Sequence, residues 1–146
     1  MTKSELAKKN FSDGYNCAQS VALAFAEDVD MDAAALARLA NGFGGGVAWT
    51  DNICGTASAI AIILALRNGK ERPEQTDRQL HTYELVNAAI KEFKDALGSD
   101  QCSVLLGYNL SDPQEREKAG EAGAFHPTCD AYVAKAAEII EKYLAM

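Results

Sequence analysis

The limits on this chain come first from what it does not contain. No Cys-x-x-Cys pair occurs, which removes the usual signatures of a zinc ribbon and of a thioredoxin-like site. Its 14 basic residues are scattered among 21 acidic ones, with no basic stripe and no interleaved aromatics. The net charge of −7 repels a nucleic-acid backbone, so no nucleic-acid partner is expected. The longest apolar run, 59–66, falls far short of the roughly 18–20 residues a membrane span needs. The first residues carry charge with no apolar run behind them, unlike a secretory signal. These absences predict a cytoplasmic protein that is not a membrane protein.

Strand signals are also scarce, because few stretches alternate apolar and polar residues and β-branched clusters are rare. Phosphate-loop signatures are missing: there is no Gly-Lys-Ser/Thr and no Gly-x-Gly-x-x-Gly. No Ser/His/Asp order, nucleophile elbow or carboxylate pair points to a hydrolase. No linker, repeat or low-complexity tract divides the 146 residues, a length that suits one domain with a proper core.

What remains is helical periodicity, and it predicts an all-α single domain, a bundle of five or six helices around a central apolar helix. The spacing predicts a first helix over 2–10 and a second from Asp13 or Asn16 to 28. A third, capped by Asp30 or Asp32, should end at Gly42. The segment 54–68 is apolar almost all round, which places it in the middle of the bundle, with Gly69 as its C-terminal cap. A long helix with Pro73 in its first turn should run to Leu97, carrying Leu80, Tyr83, Val86, Ile90 and Phe93 on its apolar face. Short helices over 100–106 and after Pro113 precede a last one over 127–144. So apolar a central helix also makes a homodimer a candidate assembly.

Four cysteines in a chain expected in a reducing compartment argue for metal binding, redox cycling or burial rather than permanent disulfides. Cys17, Cys54, Cys102 and Cys129 each fall in the first turn of an expected helix, heading its apolar face. Unpaired N–H groups and partial positive charge at helix starts favour the thiolate, which is the nucleophile and the metal ligand. These four are therefore the catalytic candidates, against the alternative that each packs as a small hydrophobe. Cys17 with Cys54, and Cys102 with Cys129, are the expected redox pairs. A second reading makes the same four the ligands of zinc or an iron–sulfur cluster, with His126, three residues before Cys129, as a nitrogen donor. A third is a non-catalytic helical module that binds a small molecule or a partner.

Gly44, Gly45, Gly46 and Gly55 are the candidate cofactor-binding positions. Backbone without a side chain there can approach a cofactor, an anion or a partner sulfur, or simply turn tightly. Trp49 and Asp51 either line a site or anchor that loop. His81 and the runs Glu115-Arg116-Glu117-Lys118 and Lys91-Glu92 read as solvated faces.

Taken as a set, Gly14-Tyr15-Asn16-Cys17-Ala18-Gln19-Ser20-Val21, Gly42-Phe43-Gly44-Gly45-Gly46, Cys54-Gly55, a cysteine after the long helix and a last one behind His126 form a pattern. It resembles a family of small bacterial and archaeal proteins of the C_GCAxxG_C_C type, with a Cys-Gly-Ala-x-x-Gly motif, regarded as redox-active. The resemblance implies that the four cysteines are the functional set, acting with a redox partner protein or small molecule, and suggests a link to redox chemistry or transport. This sequence departs from the motif at Thr56 and Ala59, where the family has Ala and Gly. The extra methyl of Ala59 leaves less room there for a bulky cofactor.

Overall fold

The computed structural model describes residues 1–146. It is all-helical, and its one β feature is an isolated antiparallel bridge between Ile53 and Gln101. The segments are α1 (Lys3–Ser12), α2 (Cys17–Leu23), α3 (Ala33–Asn41), α4 (Gly44–Trp49), α5 (Gly55–Asn68), α6 (Thr76–Leu97), α7 (Cys102–Leu106), α8 (Pro113–Glu121) and α9 (Cys129–Leu144). A π-type turn, Ala124–Thr128, leads into α9. Eight of these are right-handed helices, while α4 has left-handed backbone angles. The count exceeds the expected five or six because the short segments expected over 100–106 and after Pro113 form separate helices, α7 and α8, beside the longer ones.

Local chemistry sets the boundaries. Thr2 caps α1 in a reciprocal box: its Oγ1 accepts from the Glu5 N–H at 3.1 Å, and its own N–H donates to Glu5 Oε2 at 2.9 Å. Asp32, rather than Asp30, caps α3, its Oδ2 accepting from Ala35 N–H at 2.9 Å. Helix α2 stops at Leu23, short of the expected 28, because the next bonds tighten to three-residue spacing, Ala24 to Val21 and Phe25 to Ala22. Helix α6 starts at Thr76, not at Pro73, because Gln75 Oε1 accepts from the Glu71 and Arg72 amides and folds Pro73 into a preceding turn. It ends at Gly98, whose φ of 91° is open to glycine.

Helix α5 holds the centre, packed against α2, α6 and α9. Its Ala57, Ala59, Ile60, Ile63 and Leu64 are fully buried, each large aliphatic side chain contributing about 2 kcal/mol by removal from water. Helix α9 closes the bundle with Val133, Ala136, Ala137, Ile140 and Tyr143, a stripe at helical spacing. It meets α6 at Glu92, whose Oε1 accepts from Lys142 Nζ at 2.7 Å and from the Tyr143 hydroxyl at 2.9 Å. Leu80 and Tyr83, expected in the core, are exposed. They lie more than two turns before that contact. No helix is long and apolar enough to cross a membrane.

Candidate functional site

The cysteines occupy the helix starts, and each start is fixed by named bonds. Asn16 caps α2 with Gln19 in a reciprocal box, so Cys17 is locked as its first residue. The same two side chains tie α2 to α3: Asn16 Nδ2 donates to the Asn41 carbonyl at 2.8 Å, and Gln19 Nε2 to that of Ala37 at 2.9 Å. The Gly-Tyr-Asn-Cys-Ala-Gln stretch is thus a clamp around Cys17. Cys54, the N-cap of α5, and Cys102, the first residue of α7, flank the Ile53–Gln101 bridge. Cys54 N–H donates to the Asp100 carbonyl at 2.6 Å, and Cys102 N–H to that of Asn52 at 3.1 Å. Cys129 opens α9 directly after the π-type turn.

The glycine-rich loop winds the wrong way for L-residues. From Gly45 to Trp49 every φ is positive, 69°, 74°, 62°, 53° and 66°, and Asp51 follows at 58°. Glycine adopts this region freely; Val47, Ala48 and Trp49 do so under strain. The turn carries Trp49 onto the site and keeps the backbone close to sulfur. A Cβ on Gly46 would lie 2.9 Å from Cys102 Cβ, and one on Gly55 would lie 2.6 Å from Cys17 Sγ. Gly46 and Gly55 therefore back the cysteines, whereas Gly44 and Gly45 line the cavity in front of them. Gly44 is fitted against the Asn16 side chain, where a Cβ would fall 2.5 Å from Nδ2.

That cavity, about 530 Å³, is lined by all four cysteines, mostly among apolar and aromatic side chains. The four are free thiols; Cys17 is partly exposed and the others are buried. Helix starts do not make them thiolates. Burial pushes Cys17 up to about 11 and the charge of Cys54 adds to it, against the Gly45, Ala18 and Cys17 N–H groups that favour the anion. Cys102 is pushed to about 12 by burial, then by Cys54, Cys17 and Asp51. Cys129 is raised by burial and then by Cys17, Cys54 and Cys102 in that order. Burial also raises Cys54, opposed by the Thr56 hydroxyl 3.1 Å from its sulfur and by the Thr56 and Ala57 amides. The expectation of ready thiolates fails because desolvation exceeds the pull of these N–H groups.

The remaining candidates sort by place. His126 lines the same cavity, its Nδ1 2.9 Å from Asp130 Oδ1 and its ring 4.4 Å from that of Phe11. Trp49 lines it too, half exposed, with the Arg116 guanidinium 4.0 Å over its ring. Asp51 sits behind, with Oδ1 buried and unpaired. His81 is exposed, as expected. Arg116 and Glu115 are not merely solvated: Arg116 donates to the Leu110 carbonyl at 3.0 Å, and Glu115 accepts from Asn109 N–H at 3.2 Å. No three His, Cys, Asp or Glu side chains are placed to hold one metal ion together. The four cysteines and His126 nonetheless line the same cavity.

The sequence reading missed Asn16 and Gln19 as a clamp, although Asn-x-x-Gln at a helix start is a capping-box signature. It also missed the Thr56 hydroxyl on Cys54 and Tyr132, whose hydroxyl donates to the Leu105 carbonyl at 2.7 Å across the cavity wall. Thr56 stands at a position already noted as a departure from the motif, whereas no local pattern signals Tyr132.

The family model described as “Putative redox-active protein (C_GCAxxG_C_C)” matches residues 15–143, nearly the whole chain and all four cysteines. This chain belongs to the C_GCAxxG_C_C family. No curated protein and no solved structure is significantly similar to it. Within the family pattern, the glycines and the Asn16–Gln19 clamp have a physical reason here: they bring four sulfurs from four helices to one cavity.

Proposed function

We propose that this family member is a dithiol–disulfide redox protein that uses Cys17 and Cys54 as its first pair. The observation that carries the reading is that four reduced cysteines from α2, α5, α7 and α9 line one cavity. Cys17 is the one partly exposed cysteine, and among the other cysteines Cys54 is the one whose ionised form acts on it. In the reaction, each thiol of the pair releases one proton and one electron, the Cys17–Cys54 S–S bond forms, and a two-electron acceptor is reduced. Cys102 and Cys129 then remain as a second dithiol in the same cavity. The couplings on Cys129 favour Cys17 and Cys54 over Cys102, so pairing of Cys102 with Cys129 rests on availability alone.

The test is equilibration in buffers of mercaptoethanol and its uncharged disulfide at stepped potential, acid quenching, maleimide labelling and mass counting. One two-electron step that removes two of the four reactive thiols is expected. Four labelled cysteines at every potential would sink the reading. The apolar cavity also favours a small-molecule binding module; under that reading, replacing all four cysteines by Ser leaves ligand affinity intact.

A further inference from the structure

We propose that the cavity takes a flat, uncharged aromatic electron acceptor of the quinone class, an inference that rests on the dithiol reading and adds its acceptor. Its walls are rings: Phe11, Tyr15, Trp49, Phe125 and Tyr132 line it together with the four thiols. A volume of about 530 Å³ falls within the range of small-molecule sites and suits one or two fused six-membered rings. Stacking on ring faces rewards a planar ligand. The Tyr132 hydroxyl is spent on Leu105, and the Asn16 amide on Asn41 and Gln19. At the exposed rim, His126 uses Nδ1 on Asp130, which leaves Nε2 as a polar atom for a ligand oxygen. A few polar atoms, aromatic walls and buried thiols match a ring bearing a carbonyl.

Charge argues the same way. An anionic acceptor such as glutathione disulfide would have to shed its hydration in an apolar cavity of a protein with net charge −7. A neutral quinone leaves water at little cost. The step balances: two cysteine thiols give up two protons and two electrons as one S–S bond forms, and the quinone takes both to become the hydroquinone.

The molecule carries its own reporter, because Trp49 is the only tryptophan and stands in the cavity wall. The probe is tetramethyl-benzoquinone, whose substituted ring resists addition of thiols. Expected are saturable quenching of Trp49 fluorescence and, without oxygen, one hydroquinone formed per two thiols lost. Leu106→Phe, which fills the cavity, should weaken binding about ten-fold while near-ultraviolet circular dichroism shows a folded protein. Glutathione disulfide should not quench saturably. Absence of saturable quenching, binding without thiol loss, or tighter binding of glutathione disulfide overturns the proposal. A diamide arm separates the two readings: if diamide still makes the intramolecular disulfide, only the acceptor class has failed. If diamide makes none, the dithiol reading has failed too.

Discussion

At Cys17 three N–H groups and a helix start pull toward the thiolate, and burial beside Cys54 overrides them. The consequence is a pH dependence with a definite sign. Alkylation of Cys17 by iodoacetamide should climb about ten-fold per pH unit from pH 7 toward about 11, with no plateau near neutrality. A plateau between pH 7 and 9 would contradict the shift. The same shift bears on stability. A thiol raised from 9.0 to about 11 on folding stabilises the fold fully below about pH 9, and that contribution is lost as pH rises through about 11. Melting temperature should therefore fall over this window, and fall less in a Cys17→Ser variant.

Gly55 and Gly42 make a matched pair at the same scale. A methyl on Gly55 meets Cys17 Sγ and, at 2.9 Å, the Phe43 carbonyl, which is backbone and cannot swing away. Gly55→Ala should cost about 1–3 kcal/mol in urea unfolding. Gly42 has nothing within 4 Å of its would-be Cβ and a φ of −71°, so Gly42→Ala should be neutral or slightly stabilising.

At the scale of elements, the left-handed α4 is the feature least like an ordinary bundle. Val47 sits at φ 62° and ψ 76°, a strained setting for a β-branched residue. Val47→Gly should raise stability by about 1 kcal/mol, read in the same unfolding experiment. A loss of stability would mean that the Val47 side chain contributes more than its backbone costs. The sequence could not reveal this handedness. Three consecutive glycines announce that a helix stops, and they do not say that the next three L-residues continue in the mirror-image region. The long elements were legible for the opposite reason. Helix α3 lies between Asp32 and Gly42, α5 is a long apolar segment closed by Gly69, and α9 repeats its apolar positions over about four turns, so these elements can be read directly. Helix α6 shows the limit of that method: Leu80 and Tyr83 keep the period but lack a neighbour to cover them.

On the whole-molecule scale, the four cysteines could be picked out from the sequence because each heads a helix, and convergence followed from sulfurs that head apolar faces. Their protonation could not, since burial is a property of the assembled cavity and not of any helix start. Nor could Tyr132, which reaches the site from a position with no motif of its own. The dithiol chemistry depends on one condition: sulfurs from separate helices must be close enough to bond within one chain. The direct measurement is peptide mapping by mass spectrometry after mild diamide oxidation of the monomer. The account predicts a peptide pair joined through Cys17 and Cys54. Four unpaired cysteines after oxidation, or disulfides only between chains, would contradict it.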